Sequence, residues 1–201
     1  MTGRARVGLA LGGGGARGLA HIGVLKVLER EGIPVNLLAG TSMGGLISAA
    51  YAAGMSASDL EQEALRMASL RRLLPLADPS LLQRGLFHGR RVVDYLTFLL
   101  GDRMFDDLGI PLSMVAVDLN SQQQVILRQG RVVDAVRATI AIPGLFTPVE
   151  RGDQLLVDGG VLNNLPTDVV RDMGAVIVIA VDVQADASSA PFARMGAYRY
   201  I

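Results

Sequence analysis

Ser42 lies in the sequence GTSMG, which has the spacing G-x-S-x-G of a nucleophile elbow. The other members of this motif are Gly40, Thr41, Met43 and Gly44. Glycines on both sides of the serine permit a sharp turn without Cβ clashes, so that the hydroxyl stands exposed at the N-terminus of a helix. The alternative is an N-cap serine, which is common at such a junction. Because the predicted context is strand, turn and helix, the motif favours a nucleophile.

A glycine-rich segment, GGGGARG, precedes this motif and contains Gly13, Gly15 and Gly18 in the spacing G-x-G-x-x-G. Dinucleotide-binding folds share this spacing, but they hold the ribose with an acidic residue at the end of the next strand. That strand ends here in the letters LAG, without an acid, and Leu19 stands where a Walker loop has its lysine. Two interpretations remain: a loop whose N–H groups face an anion or oxyanion, and a tight turn for helix packing.

A serine nucleophile needs a base, and the two histidines are poorly placed for that role. His21 falls within the first predicted helix, and no histidine follows His88, whereas an α/β-hydrolase has its histidine last. Three aspartates end strand-like runs, and each of them could cap a turn: Asp118, Asp158 and Asp182. Only Asp158 is followed directly by two glycines, which permit the close approach of another backbone or a substrate. Asp158 is therefore the best candidate for the base.

Composition excludes several other classes of protein. The 201 residues carry 19 Lys and Arg against 19 Asp and Glu, and a net charge of zero argues against nucleic acid binding. There are no cysteines, so the chain has no disulfide framework, thiolate zinc site or cysteine nucleophile. The uncharged stretch 33–58 contains a proline and several glycines, and these are more typical of a strand, turn and helix than of a membrane span. The sequence indicates no cofactor, no metal and no particular oligomeric state.

These motifs require a scaffold of alternating strands and helices. Apolar runs predict strands at 7–11, 35–39, 112–118, 124–127, 155–157 and 175–183. Helical spacing predicts helices at 16–30, after the elbow to about 53, and at 132–140 and 167–173. Several strands are apolar on both faces, which is typical of an α/β sheet covered on both sides. The mostly helical region around residues 60–108 interrupts the alternation and is interpreted as a cap insertion.

The three motifs together resemble the signatures of the patatin-like phospholipase family. They are Gly13-Gly14-Gly15-Ala16-Arg17-Gly18, Gly40-Thr41-Ser42-Met43-Gly44 and Asp158-Gly159-Gly160, in this order and spacing. The resemblance extends to the stretches RATIAIPGLFTPVE and LVDGGVLNNLP, covers most of the chain from Val7 to about Asp182, and is strongest for the compact bacterial members. It implies a three-layer α/β/α sandwich with a helical cap at 60–108 and a single patatin-like domain over 1–201.

The same resemblance implies a Ser-Asp dyad, with Ser42 as the nucleophile and Asp158 as the base. The glycine-rich loop would then form the oxyanion hole, through Gly13, Gly14, Gly15, Arg17 and Gly18, while Gly159 and Gly160 complete the base motif. We therefore expect a serine lipid acyl hydrolase, a carboxylic ester hydrolase that acts on lipid or phospholipid esters through an acyl-enzyme. The alternative is a non-catalytic lipid-binding, anion-binding or regulatory protein on the same fold.

Two further segments carry weaker signals. Residues 71–91 combine leucines and Phe87 with several arginines, a mixture that could lie on an anionic lipid surface or form an amphipathic helix packed on the domain. Most such stripes face a core, so the packed helix is slightly favoured. We expect a cytoplasmic protein, and peripheral contact with a membrane through this segment is a hypothesis. Residues 185–201 show no convincing element and are interpreted as a flexible or truncated tail.

Overall fold

The structure is a computed structural model that describes residues 5–67 and 89–184, in which strands and helices alternate. The strands are β1 (Val7–Leu11), β2 (Leu37–Thr41), β3 (Leu112–Asp118), β4 (Gln123–Leu127), β5 (Val149–Arg151), β6 (Gln154–Asp158) and β7 (Ile177–Val181). The α-helices are α1 (Ala20–Arg30), α2 (Met43–Ala52), α3 (Ala57–Met67), α4 (Arg90–Leu100), α5 (Val132–Thr139) and α6 (Thr167–Asp172). Short 3-10 helices cover Gly15–Leu19, Phe105–Asp107 and Gly159–Val161. The predicted α/β class is confirmed.

The strands form one mixed sheet in the order β5-β6-β3-β2-β1-β7, and β4 also pairs with β3. β1 lies parallel to β2 and β7, and β2 lies parallel to β3. β4 and β6 run antiparallel to β3. The parallel strands are the apolar runs that the sequence shows most clearly, because side chains cover both of their faces.

The alternation of side chains along the strands sorts the core into two layers. Leu9, Leu38 and Met114 belong to the larger cluster, which contacts α1 to α5. Ala10, Ala39 and Val115, which point to the opposite face, pack with Val169 and Val170 of α6. Helices therefore cover both faces of the sheet, which confirms the three-layer α/β/α arrangement.

The structure corrects three details of the predicted elements. The helix predicted from residue 16 begins as an α-helix only at Ala20, because Gly15 at φ 53° opens a 3-10 turn first. The strand predicted at 35–39 is β2 (Leu37–Thr41), which runs into the elbow. The sequence does not predict β5, because its three residues are partly or fully exposed and form no apolar run.

Several predictions fall on residues outside the described ranges. Of the cap at 60–108, the structure describes 60–67 and 89–108, which contain the rest of α3, α4 and one 3-10 helix. His88, most of the segment 71–91 and the tail 185–201 lie outside the described residues. Within the described ranges, no helix is both long and apolar enough to cross a membrane.

Candidate active site

The register of β3 brings the ends of β2 and β6 together. Residues 114–118 of β3 pair with β4, residues 112–115 pair with β2, and residues 116–118 pair with β6. A strand has only two edges, so β2 and β6 occupy successive halves of the edge opposite β4. β2 ends at Thr41 opposite Val115, and β6 ends at Asp158 opposite Ala116. The two carboxyl ends thus meet head to head, with Ser42 directly after one of them.

Ser42 and Asp158 are in direct contact at this meeting point. The Ser42 Oγ donates a hydrogen bond of 2.6 Å to Oδ2 of Asp158. The other carboxylate oxygen, Oδ1, accepts the N–H of Gly160 at 2.7 Å. Only 7% of Ser42 and 6% of Asp158 are exposed. The candidate nucleophile and the candidate base therefore form a buried, hydrogen-bonded serine–carboxylate pair.

Burial also changes the acidity of this carboxyl group. Removal from water disfavours the charged form and raises the pKa of Asp158 above its usual value, while the hydrogen bonds from Ser42 and Gly160 act in the opposite direction. Since the first effect is the larger, Asp158 binds a proton more strongly than an aspartate in water.

The elbow holds Ser42 in a backbone conformation that only close packing can maintain. Ser42 has φ 55° and ψ −124°, and positive φ is uncommon for a residue with a Cβ. A Cβ on Gly40 would lie 2.6 Å from the carbonyl oxygen of Gly44, and a Cβ on Gly44 would overlap the carbonyl oxygen of Leu11. Glycine is therefore required at both motif positions, as the sequence predicts, because the turn crosses backbone at close range. The hydroxyl of Thr41 donates to the carbonyl of Asn163 at 2.9 Å and ties the elbow to the segment after β6.

The glycine-rich loop lies beside Ser42. The Gly13 N–H donates to the carbonyl oxygen of Asn164 at 3.0 Å, and Nδ2 of Asn164 donates back to the Gly13 carbonyl at 3.2 Å. Among the described residues, the N–H groups of Gly14 and Gly15 have no hydrogen-bond partner. Both of these glycines line the same cavity as Ser42. Two glycines whose N–H groups are free within the described residues therefore line the cavity at the serine.

His21 is hydrogen-bonded to Gly12, at the start of this loop, and does not contact Ser42. Its ring is fully buried, and Nε2 donates a hydrogen bond of 2.7 Å to the carbonyl oxygen of Gly12. Burial lowers the pKa of His21, although the hydrogen bond to Gly12 and the charge of Asp182 act against this shift. A neutral histidine that donates to the loop is a structural residue, which agrees with the expectation from its position in α1.

The remaining sequence candidates have separate places. Arg17 is exposed on the 3-10 helix after the loop, and Gly18 packs so closely on Met43 that a Cβ would lie 2.6 Å from the Met43 Cβ. Asp118 caps the turn after β3, where it accepts the Ser121 hydroxyl at 2.6 Å. Asp182 accepts the backbone N–H of residue 184 at 2.9 Å. Neither of these aspartates contacts Ser42, whereas Asp158, the one that two glycines follow, is hydrogen-bonded to it.

A cavity of about 280 Å³ opens on the Ser42–Asp158 pair. Its apolar wall includes Ile142, Pro143 and Val161. Asp158 is the one charged residue among the described residues that line it. The described part of the chain contains no group of three His, Asp or Glu side chains arranged to hold a metal ion. The cavity therefore suits an uncharged, partly apolar group next to the serine.

Sequence reasoning missed three residues that shape this site. Thr139 binds the backbone of Ser42, Asn164 holds the glycine-rich loop, and Ile142 lines the cavity. All three lie in the stretches RATIAIPGLFTPVE and LVDGGVLNNLP. Nothing in their own spacing distinguishes them, because their contacts come from elements that are distant in sequence.

The chain resembles known proteins both in sequence and in structure. The family model described as Patatin-like phospholipase matches residues 9–171. Patatin-like phospholipase domain-containing protein 6 of Mus musculus and of Homo sapiens is 40% identical over 181 residues, which is 88% of this chain and 13% of that protein. An uncharacterized NTE family protein of Mycobacterium tuberculosis is 41% identical over 182 residues, 89% of this chain and 30% of that protein. The chain thus spans less than a third of the length of these relatives.

Two solved structures share the fold. VipD from Legionella pneumophila matches with a TM-score of 0.52 and 16% identity, over 81% of this chain and 47% of that one. The type III effector protein ExoU matches with a TM-score of 0.50 and 18% identity, over 70% of this chain and 40% of that one. At these identities the likeness concerns the architecture alone.

Proposed function

The chain belongs to the patatin-like phospholipase family, and on that basis we propose that it is a serine lipid acyl hydrolase whose dyad is Ser42 and Asp158. The observation that carries this proposal is the buried hydrogen bond of 2.6 Å between Ser42 Oγ and Asp158 Oδ2. A hydroxyl that already donates to a carboxylate of raised pKa can transfer its proton along that bond as it attacks.

The proposed reaction proceeds in two steps on the same two side chains. Ser42 Oγ attacks the ester carbonyl while Asp158 takes the hydroxyl proton, and the tetrahedral intermediate collapses to an acyl-enzyme as that proton passes to the leaving alcohol. Water then attacks the acyl group with Asp158 again as the base. The second intermediate releases the carboxylic acid and returns the proton to Ser42.

The negative charge of each intermediate needs hydrogen-bond donors that are already in place. We assign this role to the N–H groups of Gly14 and Gly15, which are free within the described residues, with the N-terminus of α2 adding its positive end. One such donor contributes roughly 3 to 4 kcal/mol in comparable enzymes. The Gly13 N–H is already bonded to Asn164, so Gly13 serves to shape the loop, as the packed Gly18 does. The exposed Arg17 is proposed to meet a phosphate group of the substrate.

The proposal is tested by covalent labelling of the folded protein with a fluorophosphonate ester, read as intact mass. We expect one adduct on the wild type, none on Ser42→Ala and a strongly slowed reaction for Asp158→Asn. Ser48→Ala is the matched control, since Ser48 is a buried serine on α2, and this variant should label like the wild type. If the wild type is labelled, the release of fatty acid from phospholipid vesicles by the unlabelled protein would then define the substrate.

A folded wild-type protein that takes no adduct would contradict the hydrolase proposal. That result would favour a lipid-binding, anion-binding or regulatory protein on the same fold, for which an activated Ser42 is unnecessary. An adduct that persists in Ser42→Ala would contradict the assignment of the nucleophile.

We further propose that residues 71–91 contact an anionic lipid surface, where a peripheral protein of the cytoplasm would meet its substrate. The support is the mixture of arginines and apolar side chains in this segment. Reversal of charge at Arg71 and Arg72 to Glu should weaken binding to vesicles that contain anionic lipid. A matched double reversal at Arg30 and Arg66, which lie on α1 and α3, controls for net charge. Equal binding by the Arg71 and Arg72 variant would contradict this contact.

A further inference from the structure

Thr139, the last residue of α5, joins β3 to the backbone of the nucleophile elbow. Its side chain is completely buried. Oγ1 accepts a hydrogen bond of 2.9 Å from the Ser42 N–H and donates one of 2.5 Å to the carbonyl oxygen of Val115. The hydroxyl therefore acts as donor and acceptor at once, and it bridges the Ser42 N–H and the Val115 carbonyl.

One of the two groups that Thr139 binds is the peptide N–H of Ser42, the candidate nucleophile. Ser42 has φ 55°, a conformation that a residue with a side chain rarely adopts and that the surroundings must maintain. Its N–H is also one of the groups at the start of a helix that the helix itself cannot satisfy. Thr139 supplies the missing acceptor and so fixes the orientation of the peptide that carries the serine.

Packing leaves the Thr139 side chain little freedom. A Cβ on Gly45 would lie 2.8 Å from the Thr139 methyl group, so the methyl occupies the space that this glycine leaves open on α2. The hydroxyl is held toward Ser42 and Val115 as a consequence, since a β-branched side chain has few allowed rotamers.

The same end of α5 also holds the second member of the pair. The Asp158 N–H donates to the carbonyl oxygen of Ala141 at 3.0 Å, two residues after Thr139. Gly159, the next residue, packs against the carbonyl oxygen of Val115, which leaves no room for a Cβ. One short segment thus contacts the backbone of both Ser42 and Asp158.

We infer that Thr139 is a positioning residue for the reaction, whose hydroxyl holds the Ser42 peptide so that Oγ stays within hydrogen-bond distance of Asp158. This inference rests on the proposed function, because positioning has a consequence for rate only where Ser42 is a nucleophile. A valine would fill the same volume, but it would leave the Ser42 N–H and the Val115 carbonyl without their partner. The elbow would then be free to relax away from the strained conformation.

The test compares Thr139→Val with Thr139→Ser, which retains the hydroxyl. Thr97→Val is the matched control, because Thr97 Oγ1 also donates to a backbone carbonyl, that of Val93, on the separate helix α4. The measurements are the rate of fluorophosphonate labelling, kcat and KM for a water-soluble p-nitrophenyl ester, and hydrogen exchange of the Ser42 amide.

For Thr139→Val we expect labelling and kcat to fall about ten- to a hundredfold, the size of effect that follows a displacement of up to an ångström, with KM nearly unchanged. The Ser42 amide should exchange faster. Thr139→Ser should recover most of the rate, and Thr97→Val should match the wild type in all three measurements. A loss due to unfolding alone would lower the amount of active protein without changing the labelling rate of the folded fraction.

Two results would overturn the inference, and they differ from each other. A wild type that labels normally, with a Thr139→Val variant that labels as fast and protects the Ser42 amide as well, would overturn the role of Thr139 alone. A folded wild type that never labels would overturn the proposed function and, with it, the claim that Thr139 serves a nucleophile.

Discussion

Asp158 combines two properties that usually oppose each other. It accepts hydrogen bonds from Ser42 and Gly160, which favour the ionised form, yet burial outweighs them and raises its pKa. A solvated aspartate is a weak base toward an alcohol, so the burial of this residue is what makes a dyad without histidine chemically reasonable. The raised pKa has consequences for both activity and stability.

The first consequence concerns the pH dependence of activity. In the proposed reaction Asp158 must be ionised to accept the Ser42 proton, and a raised pKa means that protonation begins at a higher pH than for an ordinary aspartate. We expect the rate of fluorophosphonate labelling to fall on acidification with a midpoint above 3.8, the usual pKa of aspartic acid. The measurement is the labelling rate of folded protein across this pH range. A midpoint at or below 3.8 would contradict the assignment.

The second consequence concerns stability. The pKa of Asp158 is higher in the folded than in the unfolded state. Its contribution to the free energy of unfolding is therefore most favourable below pH 3.8, the pKa in the unfolded state, and is lost as the pH rises through the pKa in the folded state. Asp158→Asn removes the charge while keeping the shape of the side chain. We expect this variant to have a higher Tm than the wild type at pH 7, with the difference in Tm shrinking toward pH 4. An equal or lower Tm at pH 7 would argue against a buried charge.

At the scale of elements, the decisive feature is the shared edge of β3. The apolar runs predict β1, β2 and β3 well, and the motif glycines predict the elbow between β2 and α2. The meeting of β2 with β6 was not predictable, because the pairing of β6 depends on the register of a hairpin whose other strand, β5, has only three residues. Ser42 and Asp158 were singled out by their own neighbours in sequence, whereas Thr139 and Asn164 act through contacts that no local pattern reveals.

Substitution by alanine is expected to have opposite effects on stability at Gly44 and at Gly23. A Cβ on Gly44 would overlap the backbone oxygen of Leu11, and backbone in a central strand cannot move aside. Gly44→Ala should therefore lower the free energy of unfolding by about 1 to 3 kcal/mol or more and abolish labelling. Gly23 lies exposed within α1 with open space around it, so Gly23→Ala should raise stability by roughly 0.5 to 1 kcal/mol.

Urea unfolding monitored by circular dichroism measures both glycine variants. The comparison is informative because the chemical change is identical and only the surroundings differ. A Gly44→Ala protein of wild-type stability would show that the elbow does not cross β1 as closely as described.

At the scale of the whole molecule, two buried groups make the fold sensitive to acid. Burial lowers the pKa of His21 in the folded state. The neutral ring therefore stabilises the fold above pH 6.5, its ordinary pKa, and this stabilisation is lost as the pH falls through the pKa in the folded state. The pKa of Asp118 is lowered to about 2, first by the hydrogen bond from the Ser121 hydroxyl and then by that from the Leu155 N–H. The ionised Asp118 therefore contributes to the free energy of unfolding above pH 3.8, its ordinary pKa, and this contribution is lost as the pH falls toward 2.

The variant Asp118→Asn tests the contribution of the Asp118 charge to stability. This substitution removes the charge that ties the turn after β3 to the start of β6 through the Leu155 N–H. We expect a lower free energy of unfolding than in the wild type at pH 7, and a difference that narrows below pH 3.8 as the wild type itself is protonated. Urea unfolding from pH 7 to pH 3 provides the measurement. A difference that stays constant over this range would show that the charge of Asp118 does not contribute.

The hydrogen bond between Ser42 and Asp158 joins residues 116 positions apart in the chain. A ribosome adds roughly 5 to 20 residues per second, so roughly 6 to 23 s separate the synthesis of the serine from that of its partner. β3 is made within this interval and can receive β2, but the second half of its edge stays open until β6 emerges. A nascent chain therefore carries Ser42 without its carboxylate partner until β6 has been made.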